Sequence, residues 1–233
     1  NIWVDQGDSL MMRDAAWLQF YCDSHQDLLD TTLMAFRVAE DHRVMLPVIV
    51  AMDGFVTSHT QMVADLPTQN QVDAVLPQCA IPHGLRHAHP TTVGGMTMPN
   101  ETEHHRFEIQ QSMENVIPVL EEARNEFESI FDRRPAGALE TCETEDADII
   151  LIAVNTLART LHNVIKERRA KGEKVGMIRL KLFRPFPRAE LLKAIGKAKK
   201  VGVLDRNHSP GSGGIFWQEV ATTLTGRSDV LLQ

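Results

Sequence analysis

The sequence is short of the features that mark several protein classes. Its 3 cysteines, Cys22, Cys79 and Cys142, are far apart and form no C-x-x-C pair. It therefore builds neither a disulfide framework nor an iron–sulfur cluster from its own thiols. There is no excess of base: 24 Lys and Arg stand against 31 Asp and Glu, for a net charge of -7. Outside Lys193–Lys200 the basic residues are scattered, which argues against a nucleic-acid partner. No apolar run approaches the roughly 20 residues that span a bilayer. Asn1 opens in mature-looking sequence without a signal peptide, so the sequence predicts a cytoplasmic chain with no membrane partner. Neither the G-x-G-x-x-G dinucleotide order nor the G-x-x-x-x-G-K-[ST] phosphate-loop order is found.

What is present suits an α/β protein. A chain of 233 residues, 43% of them hydrophobic, fills one large or two modest cores. Ile2–Val4 reads as a strand already under way, and Asp229–Gln233 as a strand cut off in the middle. A helix is predicted from about Leu10 through Cys22, with Trp17 and Phe20 in the core. A second helix follows from Ser24, its N-cap, with Asp27 in the first turn. The unbroken apolar run Val44–Met52 predicts a strand buried on both faces, as in a parallel sheet. Residues 66–99 are rich in proline and lack sustained periodicity, and a long helix covers about Glu101 to Phe131, with Pro118 inside it. Strands at Ala147–Val154, Val175–Leu182 and Lys200–Leu204 then alternate with helices at Leu157–Arg169, Arg188–Lys199 and from Ile215, the pattern of a parallel sheet with right-handed crossovers.

Three stretches carry candidate chemistry. Gly7–Trp17 opens with the N-cap residues Asp8 and Ser9 and places Arg13 near a helix entrance. There it either grips an anion through two parallel hydrogen bonds or pairs with Asp14. Asp53–His59 follows the buried strand, where open parallel sheets bind ligands. His59 is an acid–base or cofactor-bonding candidate, or orders its own loop through Ser58 and Asp53. Asp205–Gly214 ends in Gly211-Ser212-Gly213-Gly214, a turn that either cradles a phosphate or packs a strand against a helix. Cys79, His83, His87 and His89 cluster in the proline-rich segment, but C-x3-H-x3-H-x-H matches no zinc spacing, and they are read as a solvated loop with no metal.

Several motifs in order along the chain carry a resemblance: Asp8-Ser9 with Arg13-Asp14; Leu46-Pro47 with Asp53-Gly54-Phe55 and Ser58-His59-Thr60; Arg179 with Leu182-Phe183-Arg184-Pro185-Phe186-Pro187; and Asp205-Arg206-Asn207 with Ser209, Gly211, Gly213 and Gly214. The chain resembles the alpha subunit of the thiamine-diphosphate-dependent 2-oxoacid:ferredoxin oxidoreductases, the pyruvate enzymes most of all. The resemblance implies the back half of a pyrimidine-type thiamine-diphosphate domain at residues 1–65 and a crossing segment with a long helix at 66–139. It implies a transketolase C-terminal-like parallel-sheet domain at 140–233, and a family segment preceding residue 1.

It further implies oxidative decarboxylation of a 2-oxoacid to an acyl-CoA, with electrons leaving through iron–sulfur clusters to ferredoxin. Arg13 would bind the substrate carboxylate, Asp8, Asp14, Asp53 and His59 would lie near the active site, and Asp205, Asn207, Ser209, Gly211 and Gly213 would form the second domain's loop. No catalytic residue is assigned. Thiamine diphosphate and magnesium would be held mainly by a beta subunit. The [4Fe-4S] clusters and coenzyme A would belong to a complex with a ferredoxin-like subunit and a gamma-type subunit. Two departures stand out: Val154-Asn155-Thr156 replaces a common Gly-Ser pair, and Ala15-Ala16 replaces Thr-Gly beside Arg13, which leaves aryl glyoxylates and oxalate open as substrates. A lipoamide-linked dehydrogenase, a transketolase relative and a structural subunit with a vestigial site are the remaining alternatives.

Overall fold

The computed structural model describes residues 3–81, 84, 85 and 87–233. Ile2 lies outside them, and Trp3 and Val4 form a bend in place of the expected strand. Helix α1 (Gly7–Leu10) passes into a single 3-10 turn at Met11–Asp14, and the chain then becomes extended as strand β1 (Leu18–Tyr21). The helix predicted through Cys22 is thus overturned. Ala16 takes a left-handed φ of 63° that a helix cannot propagate. All four β1 residues are buried, so the apolar spacing reflects a central strand instead of one helical face. Helix α2 (His25–Ala39) starts as expected, with the Ser24 hydroxyl accepting the Asp27 N–H.

Strand β2 (Val48–Ala51) runs parallel to β1. It is only half-buried throughout, not buried on both faces, because it is the outer strand of a three-stranded sheet. Within the segment expected to be irregular, a capping box between Thr68 and Gln71 starts a short helix, α3 (Gln69–Val75). Helix α4 (Pro99–Phe131) is 33 residues long, about 50 Å at 1.5 Å per residue. Its C-terminal half buries Val116, Val119, Leu120, Ala123 and Phe127 in a core shared with Met34 and Val38 of α2.

The second half is built on a five-stranded sheet. Its elements in chain order are β3 (Leu139–Cys142), β4 (Ile149–Val154), α5 (Asn155–Ala170), β5 (Val175–Leu180), β6 (Leu182–Arg184), α6 (Arg188–Ile195), β7 (Lys200–Val203), β8 (His208–Ser209), β9 (Gly213–Gly214), α7 (Ile215–Thr223) and β10 (Leu231–Leu232). The sheet order is β10-β7-β4-β5-β3. Its first four strands are parallel as expected, and β3, which the sequence did not suggest, closes the edge antiparallel to β5. Helix α6 stops at Ile195 and not near Lys199, because Gly196 turns to a φ of 54°.

The strand expected at Val175–Leu182 divides at Lys181. Beyond it, β6 crosses to the first sheet and pairs antiparallel with β1, so the two halves share a strand and a core. At their junction Tyr21 of β1 meets Phe216 of α7 edge-on at 5.4 Å, and Phe183 of β6 meets Phe216 at 4.8 Å. Such contacts add to simple area burial.

Candidate functional site

Arg13 sits at the end of the 3-10 turn, not at a helix entrance. The expected N-cap does not form either: α1 begins after Gln6 with no side-chain cap. The Asp5 carboxylate accepts the Gly7 N–H at 2.7 Å, Asp8 accepts the Ser9 N–H at 2.7 Å, and the Ser9 hydroxyl bonds the Tyr21 hydroxyl at 2.9 Å. Burial pushes the Tyr21 phenol up to about 12, so this hydroxyl pair stays neutral across physiological pH.

The Arg13 guanidinium is loosely held. Its Nη1 donates to the Leu10 carbonyl at 3.3 Å, and its Nε lies 3.6 Å from an Asp14 carboxylate that is itself 80% exposed. A pair so open to solvent contributes little. The arginine therefore keeps donors for an incoming acceptor. It lines a cleft of about 820 Å³ together with Asp14, Ala16, Met113, Arg184 and Glu219. The cleft thus combines charged groups, an apolar wall from α4 and the left-handed Ala16. A second cavity of about 610 Å³ runs along α5 and β3, where Arg179 is tied to Glu140 and Asp23, and Arg159 to Asp23.

Asp53 is buried at the end of β2 and does not line the Arg13 cleft. Its carboxylate accepts from Gln6 Nε2 at 3.2 Å, Asn155 Nδ2 at 2.5 Å, the Thr156 N–H at 3.0 Å, the Thr156 hydroxyl and Arg206 Nη2 at 3.1 Å. One carboxylate thereby ties the first sheet to the start of α5 and to the loop after β7. Asn155 adopts a left-handed φ of 52° there. His59 is exposed, bonds Ser58 Oγ through Nδ1 at 2.7 Å and stacks on Phe55 at 5.7 Å. Ser58 Oγ also accepts the Phe55 N–H at 2.8 Å. His59 thus orders its own loop through Ser58, as one of the two sequence readings had it, while Asp53 is engaged elsewhere.

Sequence reasoning missed a buried charge cluster. Lys181, fully buried, donates to Asp27 at 2.8 Å and to the Ala136 carbonyl at 3.1 Å, and Arg179 reaches Asp27, Asp23 at 3.3 Å and Glu140 at 3.1 Å. Burial would raise the Asp27 carboxyl, but Lys181 and Arg179 outweigh it and hold it down at about 2. Burial pushes the neighbouring Asp23 up. The available signal was the pair Arg179 and Lys181 within a mostly apolar strand run, where charge is tolerated only when paired.

The loop after β7 is built for packing. Asp205 accepts the Asn207 N–H at 2.9 Å and the Phe216 and Trp217 N–H groups at 2.9 and 3.2 Å, so it fills the N-terminus of α7. A side chain at Gly214 would run into that carboxylate, and Gly211 and Gly213 have φ values of 81° and 104° in the β8–β9 turn. Asn207 is buried, with no protein acceptor for its Nδ2 among the described residues, and Ser209 pairs with Gly213 across the hairpin. Two of the N–H groups at the start of α7 are thus already taken, which leaves fewer donors there for an anion. Among the described residues no group of three His, Cys, Asp or Glu side chains could hold a metal ion. His83 lies outside those residues, and Cys79 is exposed.

Comparison with known proteins connects these features. Residues 1–125 match the family described as pyruvate flavodoxin/ferredoxin oxidoreductase, thiamine diphosphate-binding, and residues 147–232 match pyruvate:ferredoxin oxidoreductase core domain II. The chain is 39% identical to pyruvate synthase subunit PorA of Methanothermobacter thermautotrophicus, over 97% of this chain and 59% of the relative. It is 36% identical to PorA of Pyrococcus furiosus, over 98% and 58%, and 34% identical to ketoisovalerate oxidoreductase subunit VorA of Pyrococcus abyssi, over 96% and 56%. It thus spans less than two thirds of the length of these relatives. A 2-oxoglutarate:ferredoxin oxidoreductase from Magnetococcus marinus, solved with 2-oxoglutarate, coenzyme A and succinyl-CoA bound, superposes with a TM-score of 0.59 at 14% identity, covering 93% of this chain and 38% of that one. That likeness shows a shared fold. With its first 125 residues matching the thiamine-diphosphate-binding model, the chain belongs to the pyruvate flavodoxin/ferredoxin oxidoreductase family.

Proposed function

We propose that this chain forms the carboxylate-binding wall of a 2-oxoacid:ferredoxin oxidoreductase, with pyruvate as its first substrate. The observation that carries the reading is Arg13, one-third exposed in a cleft and only loosely paired. A planar, permanently charged guanidinium with spare donors suits a 2-oxoacid carboxylate. In this role Arg13 binds and orients the substrate and transfers no proton. Thiamine diphosphate would supply the carbanion chemistry from a site held mainly by a beta subunit with magnesium. Electrons would leave through the [4Fe-4S] clusters of a ferredoxin-like subunit to ferredoxin, and coenzyme A would take the acyl group in a complex that includes a gamma-type subunit. The assembly would work in the cytoplasm, with residues 1–65 and 140–233 as two functional units joined by 66–139.

A branched 2-oxoacid is the second reading. It is favoured by the VorA relatives at 34% and 35% identity. The complex, purified without oxygen, is expected to show an iron–sulfur absorption band bleached by its 2-oxoacid. It is also expected to reduce viologen with pyruvate, 2-oxoisovalerate, an aryl glyoxylate and oxalate at rates that rank the substrates. Turnover that requires a lipoyl domain and leaves viologen oxidised would reject the proposal in favour of the dehydrogenase alternative.

A further inference from the structure

Arg13 has loose side-chain partners, yet its backbone is gripped from the other half of the chain. Arg184, the last residue of β6, donates from Nε to the Arg13 carbonyl at 3.3 Å and from Nη1 to the Phe183 carbonyl at 3.0 Å. Its Nη2 bonds Glu219 of α7 at 2.6 Å, and its guanidinium lies over the Phe183 ring at 4.3 Å. The other oxygen of Glu219 receives Arg188 at 3.3 Å. Both side chains of the Arg184–Glu219 pair are only 17% exposed, so the pair is poorly screened and worth more than a surface ion pair. The β1–β6 register also shifts between Gln19 and Phe20, so the strand ladder alone does not fix the approach of β6 to the Arg13 turn.

A guanidinium is planar and rigid. Once Glu219 fixes Nη2 and Phe183 supports the ring face, the direction of the Nε–H toward Arg13 is set as well. We propose that Glu219 and Arg184 are positioning residues that fix the turn presenting Arg13 to the cleft, so that a helix of the second half sets the affinity of the first half for a carboxylate substrate. The inference rests on Arg13 as the substrate-binding group. Arg184 and Glu219 line the same cleft, but their charged ends are tied to each other; in this scheme they act through Arg13.

The test is steady-state kinetics of the assembled anaerobic complex, with Arg13→Ala, Glu219→Ala, Glu219→Gln, Arg184→Lys and the double variant Arg13→Ala/Glu219→Ala measured side by side in viologen reduction. Glu219→Ala is expected to raise KM for the 2-oxoacid about 5- to 10-fold with kcat within about twofold, as for a lost hydrogen bond to a charged group felt at one remove. Glu219→Gln, which keeps an acceptor for Arg184, should recover most of that loss. The double variant should be no worse in kcat/KM than Arg13→Ala alone, because the clamp has nothing left to position. If Glu219→Ala prevents assembly, Glu219→Gln and Arg184→Lys carry the comparison, with a smaller but measurable rise in KM expected from Arg184→Lys. An Arg13→Ala effect on KM that Arg184→Lys and the Glu219 variants do not share, or losses that multiply in the double variant, would overturn the clamp while leaving Arg13 in place. Unchanged turnover in Arg13→Ala would overturn the substrate site and the clamp with it.

Discussion

Asp27 shows how far a single side chain can depart from its sequence appearance. In the first turn of α2 it reads as a helix-dipole residue, and its neighbour Ser24 does cap the helix. The same carboxylate also neutralises Lys181 and Arg179 in the interior. Its folded value of about 2 lies below the ordinary 3.8. The ionised form therefore stabilises the fold above about pH 4, and that contribution is lost as pH falls toward 2. The difference corresponds to roughly 2 kcal/mol. Asp27→Asn leaves a buried lysine short of its counter-charge and is expected to cost about 3–5 kcal/mol at pH 7. In urea unfolding across pH, the gap between wild type and Asp27→Asn should narrow between pH 4 and pH 2. A gap that stays constant would contradict the assignment.

Among the elements, α2, α4, α5 and the parallel strands β4, β5 and β7 are legible because local signals and tertiary environment agree: Ser24 before α2, Gly172 after α5, the continuous apolar run of β4. The misread elements are those where tertiary context decides. Leu18–Tyr21 has helix-compatible spacing but sits between β2 and β6 and is buried throughout. The run Val175–Leu182 divides at Lys181 because the chain changes sheets there, and β3 is a short edge strand with little apolar content to announce it. Helix α7 depends on a cap its own N-cap residue, Gly214, cannot provide, and Asp205 supplies it from nine residues upstream. Asp205→Ala, which removes the acceptor for two helix N–H groups, is expected to cost about 1–2 kcal/mol, read as a drop of roughly 2–8 °C in thermal unfolding. Asp205→Asn should lose less, since it keeps an acceptor. Equal losses from both would point to the charge instead of the cap.

At the scale of the molecule, the chain is held as one body by a few cross-connections between its halves: the strand β6, the Asp27–Lys181–Arg179 cluster and the Asp53 carboxylate. The sequence marks Asp53 as a strand-end residue near a ligand crevice. It does not reveal that Gln6, Asn155, Thr156 and Arg206 converge on it, because those partners are separated from it by up to 153 positions. The candidate site was legible in part for the same reason. Arg13 stands out through the motif around it, while Arg184 and Glu219 are recognisable as its neighbours only once β6 and α7 are folded against β1.

The central claim is that Arg13 binds the substrate carboxylate, and the most direct measurement is kcat/KM for pyruvate in the assembled anaerobic complex, wild type against Arg13→Ala. Loss of a charge-assisted contact predicts a fall of roughly 10- to 100-fold in kcat/KM, with the complex still assembled. An unchanged kcat/KM would contradict the claim.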